Sequence, residues 1–282
     1  MLTKASSGVL SGLKRVIRYL KEGRLKRRQK TQDMMVKKEK FQRNEFPQLL
    51  PKNENQKLFL EALKYDTMIV SQGSAGVGKT LLACWHAAKK LHFGDVKKVV
   101  LIRAYQPLAG RTIGMLPGTA SEKLLPFYQQ MIDYFEDYLG KSTTQIHLTQ
   151  GTIEICSLET IRGRSWDNAI VVVDESQNLF IPEVQALTTR LGEGSQMIFC
   201  GDNTGYQTDV KNSMNGMTYL QKIVEKYNIP DVSFINFTRE NICRSGITKS
   251  FVIAFEDEML ADRNGNAIIS QQEQDKQFKK SR

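Results

Sequence analysis

Residues 68–91 read MIVSQGSAGVGKTLLACWHAAKKL, and their reading decides the fold. Met68–Ser71 is a short apolar run of strand type, and Leu81 onward has helical periodicity. Between them, Gly73–Thr80 spells GSAGVGKT, which satisfies G-x-x-x-x-G-K-[ST] in its required strand–loop–helix setting. Gly73, Gly76 and Gly78 let the backbone turn so that its N–H groups, with those of Ser74, Ala75 and Val77, point inward around an anion. The helix opening at Lys79 aims its positive end at the same place. Lys79 reaches β and γ phosphates as a point charge, and the Thr80 hydroxyl suits Mg²⁺. This is a phosphate-binding loop for a nucleoside triphosphate, with ATP and Mg²⁺ as the expected ligands.

Working outward, strand-like runs recur at Val99–Ile102, Ile153–Cys156, Ile170–Val173, Met197–Cys200 and Val232–Phe237. Helical patterns fill about 54–65, 79–92, 121–139, 182–191, 213–228 and 247–257. Such alternation predicts an α/β fold, a mostly parallel sheet covered by helices on both faces. The segment 145–162 is the expected exception. There Gln145–Leu148 and Thr152–Cys156 flank a Gln150-Gly151 turn and read as a local hairpin.

The strand Ala169–Val173 ends in Asp174-Glu175. Asp174 at the strand tip is placed to hold Mg²⁺ through its hydration shell, and Glu175 could polarise an attacking water as general base. An adjacent Asp-Glu pair favours the ATPase branch with an extra strand between the phosphate-loop strand and the acidic strand. Met197–Cys200 is then the intervening strand. Asp202 after it is the better candidate for a γ-phosphate sensor, and Gln207 the weaker one.

The chain of 282 residues carries a net charge of +10, unevenly spread. Residues 1–43 hold 14 Lys and Arg against only Glu22, Asp33 and Glu39, so the rest is close to neutral. Such an arm suits nucleic acid or another acidic surface, and equally a solvated tail. Val9, Leu10, Leu13, Val16, Ile17 and Leu20 recur at helical spacing among Lys14, Arg15, Arg18 and Lys21. That basic amphipathic stretch could lie on nucleic acid, a membrane surface or a partner protein. No run of 18 apolar residues appears and no secretory leader is evident. Cys84, Cys156, Cys200 and Cys243 lack CxxC spacing, as expected of reduced thiols in the cytoplasm. His86, His92 and His147 show no metal-ligand grouping. Three segments follow: a basic arm 1–47, an ATPase domain 48–257 and a polar tail 258–282.

Over about residues 48–257 the chain resembles the PhoH family, phosphate-starvation-type P-loop ATPases of bacteria and phages. The resemblance rests on NENQKLFLEAL, GSAGVGKT, VVLIRAYQPLAG followed by IGMLPG, ETIRGRSW, VVVDESQN, CGDNTGYQTD and FTRENICRS, in that order. It implies a RecA-like core akin to the nucleotide domain of superfamily 1 helicases. It further implies that Gln56 hydrogen-bonds adenine and that Arg103 matches the family's first arginine motif at the nucleotide. Arg162 and Arg164 look like phosphate or nucleic-acid contacts, and Arg244 like an arginine touching the γ-phosphate. Two residues more than usual follow Gly201-Asp202, which bears on Gln207. AGRTIG replaces a more acidic stretch, so Arg111 could add a positive contact.

The function expected is a Mg²⁺-dependent ATPase coupled to RNA or single-stranded DNA, with catalytic residues Lys79, Glu175, Asp202 and Arg244. With one such core, Arg244 or Arg103 could come from a neighbouring subunit, which predicts a homo-oligomer, plausibly a hexameric ring. The alternative is a nucleotide-controlled binding module with negligible turnover. A small-molecule kinase fits poorly, since no arginine-rich lid is evident, and no carboxylate cluster suggests a nuclease.

Overall fold

The structure, a computed structural model, describes residues 45–104, 120–202, 215–244, 246–258 and 260–261. The amphipathic stretch 9–20, Arg111, Gln207 and the tail from 262 lie outside the described residues. The chain divides into two units, 1–47 and 48–282, and every element named here belongs to the second. No helix among the described residues is long and apolar enough to cross a membrane.

Helix and strand alternate as the periodicity demands. Helix α1 (Glu54–Tyr65) precedes β1 (Met68–Gly73), α2 (Lys79–Phe93) and β2 (Lys98–Arg103). Then come α3 (Ala120–Leu139), α4 (Lys141–Gln150), β3 (Ile153–Cys156) and β4 (Ala169–Asp174). Helix α5 (Ile181–Thr188), β5 (Gln196–Gly201), α6 (Gly216–Tyr227) and β6 (Val232–Phe237) follow, with a last helix, α7, over residues 246–258.

The six strands lie in the order β3-β2-β4-β5-β1-β6, and every pairing between them is parallel. Strand β5 therefore stands between β1 and the acidic strand β4, as the Asp-Glu pair led us to expect. Parallel strands share one carboxyl edge, so the tips of β1, β2, β4 and β5 open on the same crevice. In β4 all six residues are buried, because helices cover both of its sides. Val70, Val100, Val171, Val173, Met197 and Phe199 pack with Leu179, Val184, Leu187, Met217, Leu220 and Val224 under α5 and α6. The alternating set, including Ile69, Leu101, Val172 and Ile198, is equally buried and faces the other way, where α2 packs on β2, β4 and β5. The RecA-like α/β layering is thus formed.

The hairpin expected over 145–162 is not. Residues 141–150 form α4, and β3 pairs in parallel with β2 through Val99↔Ile153 and Ile102↔Cys156. The alternation of Ile146 and Leu148 with polar neighbours imitates a strand, but the segment's ends decide otherwise. Gly151 closes the helix in the left-handed conformation, with its N–H on the His147 and Leu148 carbonyls, a common helix stop. Thr144 and Thr149 bond back to the carbonyls of Gly140 and Gln145.

Candidate nucleotide-binding site

Strand β1 delivers the chain to Gly73, whose φ is +140°. A Cβ there would stand 2.2 Å from the Phe237 carbonyl oxygen, so the close approach of β6 also requires glycine. Helix α2 opens without a side-chain cap and with no acidic residue in its first turn. Its leading N–H groups are left for an external anion. Gly73, Ser74 and Val77 shape the loop, while Ala75, Gly76, Gly78, Lys79 and Thr80 line a cleft of about 420 Å³, within the usual range for a bound small molecule.

Lys79 donates to the carbonyls of Gly73 (2.6 Å) and Ser74 (2.9 Å). Burial lowers its pKa, opposed by the charges of Asp202, Cys200, Asp174 and Glu175. Opposite, Thr80 Oγ1 donates to Asp174 Oδ1 at 2.7 Å. Asp174 is 5% exposed, and burial followed by the charge of Glu175 raises its pKa against the pull of Thr80 and Arg103. This pair of hard oxygens fits Mg²⁺ held by one or two protein ligands and completed by phosphate and water. No cluster of three or more His, Cys, Asp or Glu suited to a metal occurs among the described residues.

Glu175 takes a left-handed backbone, φ 53°, a conformation that costs a non-glycine residue about 1–2 kcal/mol. Its two oxygens go to different partners. Oε1 accepts from Arg103 Nη2 at 3.1 Å, and Oε2 from Gln177 Nε2 at 2.6 Å. The same Gln177 accepts the Asp202 N–H on Oε1 at 2.9 Å. Asp202 is buried at the tip of β5 and, like Asp174 and Glu175, lines the cleft.

At the other end Leu49, Leu50, Lys52 and Gln56 line the mouth, with Cys243 and Arg244. The buried Gln56 amide donates to Val77 O at 2.8 Å and to Cys243 Sγ at 3.4 Å, and accepts from Lys52 N at 2.7 Å. It therefore ties α1 to the phosphate loop. Cys243 N donates to Gly76 O at 3.0 Å, and the Arg244 stem lies so close that a Cβ on Gly76 would meet its Cδ at 2.8 Å. Arg244 thus stands at its own chain's loop.

Three arginines lie elsewhere. Arg103 does not line the cleft; its guanidinium is taken by Glu175, by Phe127 O at 2.6 Å and by Asp174 at 3.7 Å. Arg164 pairs with Glu154 on the sheet's β3 edge, where Lys98 holds the other oxygen at 2.9 Å. Arg162 is exposed, and neither residue borders the cleft. Sequence reasoning missed Gln177, and also Gln130 and Tyr134, which line the cleft from α3. The signal for Gln177 was its place two residues beyond Glu175. Nothing in the amphipathic pattern of α3 marks its two as facing a ligand.

A family model described as PhoH-like protein matches residues 48–256. The chain is 32% identical over 206 residues to the PhoH-like protein of Bacillus subtilis, covering 73% of this chain and 63% of that one. It is 31% identical over 210 residues to Protein PhoH of Escherichia coli K12, covering 73% and 58%. It spans about six-tenths of the length of these curated relatives. Among solved structures it is similar to the Pif1 helicase from Candida albicans, at 15% identity and a TM-score of 0.35, over 68% of this chain and 42% of that one. The flagellar accessory protein FlaH from Methanocaldococcus jannaschii matches at 10% identity and a TM-score of 0.27, over 75% and 76%. Likeness at that level carries nothing about activity. With the phosphate loop, the acidic pair and the intervening strand in place, and the family match spanning residues 48–256, this chain belongs to the PhoH-like family of P-loop NTPases.

Proposed function

We propose that the protein binds ATP with Mg²⁺ in the cleft and hydrolyses it, and that turnover is coupled to RNA or single-stranded DNA. The observation that carries the reading is the contact of Thr80 with Asp174 beside Lys79 and Glu175. Four groups that phosphoryl transfer needs share one crevice. Bound Mg²⁺ supplies neutralisation of charge on the phosphate oxygens. Lys79 exchanges its two carbonyl partners for phosphate oxygens, a better match for its buried charge. Thr80 and Asp174 hold the metal side. Glu175 takes a proton from water, and Asp202 at the β5 tip answers to the γ-phosphate. Arg244, next to Gly76, adds positive charge where negative charge develops, and Gln56 and the leucines flank the base.

Both Arg103 and Arg244 stand within the chain's own fold. Arg244 at its own chain's loop can supply that charge in cis, so a homo-oligomer, a hexameric ring included, is proposed without an arginine from a neighbour as its reason. A homo-oligomer would have to rest on other contacts. Nucleic acid as the partner is supported by the basic arm, and a reducing cytoplasm by four free cysteines, three of them buried.

A second reading, a nucleotide-controlled binding module, is favoured by one observation: both Glu175 oxygens already have partners. The test is Mg²⁺-dependent phosphate release, with and without single-stranded RNA and DNA, for wild type and Glu175→Gln. Release that the variant loses and a nucleic acid raises is the expected result. Tight ATP binding with no release under any condition would leave only the module.

A further inference from the structure

The resemblance reads Arg103 as a nucleotide contact, yet its guanidinium is engaged by protein groups, with Nε 3.7 Å from Asp174 Oδ2. One arm, Nη1, donates to the Phe127 carbonyl of α3 at 2.6 Å, and the other, Nη2, to Glu175 Oε1 at 3.1 Å. Its backbone N–H is held by the same helix, donating to Tyr128 Oη at 3.1 Å, and Tyr128 in turn donates to Cys156 O at 2.9 Å. On the opposite side of Glu175, the buried Gln177 spans from Oε2 at 2.6 Å to the Asp202 N–H at 2.9 Å. Gly201 admits this bridge: a Cβ there would come within 2.4 Å of Ser176 Oγ and 3.2 Å of Gln177 Oε1. The left-handed backbone of Glu175 needs such support, because strained conformations persist only where the surroundings over-determine them.

We infer that Arg103 and Gln177 are paired positioning residues that aim Glu175. Arg103 ties it to α3 and Gln177 ties it to the β5 tip, and neither holds the nucleotide. This rests on the hydrolytic reading above. Helix α3 also presents Gln130 and Tyr134 to the cleft, at helical spacing from Phe127. The helix that borders the cleft therefore also anchors the arginine on Glu175. Turnover then depends on where α3 and the β5 tip stand, while affinity for ATP does not depend on Arg103 or Gln177. The fork matters as much as the charge, since a lysine cannot give two divergent donors in one plane.

The test uses the full chain, with steady-state phosphate release, binding of a fluorescent ATP analogue and thermal melting. Arg103→Lys, Arg103→Met and Gln177→Met are each expected to lower kcat about ten- to a hundredfold, the scale of a misplaced catalytic group. KM and the analogue's dissociation constant stay within about threefold. Gln177→Glu, which keeps the acceptor for Asp202 N–H but loses the donor to Glu175, shows the same split should Gln177→Met melt early. A purely structural role would shift melting without separating kcat from KM. Arg103 variants that weaken analogue binding tenfold at unchanged kcat would make Arg103 a nucleotide ligand and overturn the inference. So would an Arg103→Lys enzyme as fast as wild type. Wild type that releases no phosphate, or releases it equally in Glu175→Gln, ends the hydrolytic reading and this inference together. An active, Glu175-dependent wild type matched by all the Arg103 and Gln177 variants ends this inference alone.

Discussion

The two halves of the sheet use the same residue types in opposite ways. In the phosphate-loop half, around β1, β5 and β4, several polar groups are buried on specific partners. Gln56 holds Val77, Thr80 holds Asp174, and His86 Nε2 lies 2.8 Å from Gln196 Oε1. At the β2–β3 edge the paired cations are far more exposed. Lys98 and Arg164, each with a side chain 41% exposed, share Glu154. Arginine shows the contrast most plainly. Arg103, 20% exposed, works on the acidic pair of β4, while Arg164 covers a strand edge. Motif membership alone does not separate them; position along the sheet does.

The largest expected effect breaks or confirms the chemical half of that contrast. Glu175→Gln should lower turnover by a factor of about 10²–10⁴, the worth of a general base, while a fluorescent ATP analogue still binds. Arg164→Ala under the same assay should leave basal turnover unchanged. Equal losses in both variants would erase the distinction between the halves.

Glycines sharpen it on the stability side. Gly73→Ala sets a Cβ 2.2 Å from the Phe237 carbonyl at φ +140°, a backbone clash that flexible side chains cannot relieve. Its cost should reach about 3 kcal/mol or more in urea unfolding. At Gly163, on the β3 side, φ is +80° but nothing lies within 4 Å of the added Cβ. Gly163→Ala therefore bears only the left-handed penalty, about 1 kcal/mol. Similar costs at the two sites would mean that β6 yields to the loop.

This division also explains what could be read in advance. Strand ends, the phosphate loop, the Asp174-Glu175 tip and the intervening β5 follow from local runs of residues, each complete within about ten positions. Helix α4 was misread because Ile146 and Leu148 alternate with polar residues, and only Gly151 and the pairing of β3 with β2 overrule that pattern. The partners of Glu175 come from positions 103 and 177 and meet through packing. No spacing rule names Arg103 as a residue bound to Phe127 O. Likewise no local pattern around Arg164 names Glu154 as its partner.

The histidines separate the halves by pH. Burial lowers His86 to about 4 from 6.5, with the nearby Lys90 and Lys89 adding to it against the Gln196 hydrogen bond. Gln196 Nε2 donates to Leu63 O and Asp66 O, which leaves its Oε1 to accept from a neutral His86. A depressed folded pKa means that the unfolded chain binds the proton first. Stability is therefore full above about 6.5 and falls as the pH drops toward 4, by about 3 kcal/mol for this group. His86→Gln should flatten the wild-type stability curve across that window. Burial lowers His147 on α4 as well, but it is half-exposed, so His147→Gln should flatten the curve less.

The smallest effect tests the edge itself. Burial pushes the Glu154 carboxyl up, but hydrogen bonds from Lys98 and Arg164, with their charges, outweigh it and leave its pKa below the usual value. Stability from this cluster is thus present above the ordinary carboxylate range and lost as the pH falls through the lowered pKa. Both cations are more than a third exposed, so water and salt screen the gain. Arg164→Ala should cost no more than about 0.5 kcal/mol, and 0.5 M salt should shrink even that difference. The same variant decides whether the arginine has a second use. Because the ion pair holds Arg164 at the surface rather than in the cleft, a nucleic-acid strand lying along β3 would compete with Glu154 for it. Stimulation by single-stranded RNA or DNA would then drop in Arg164→Ala, and Glu154→Gln, which frees the guanidinium, would raise it. Stimulation unchanged in both variants would make the pair a strand-edge cover and nothing more.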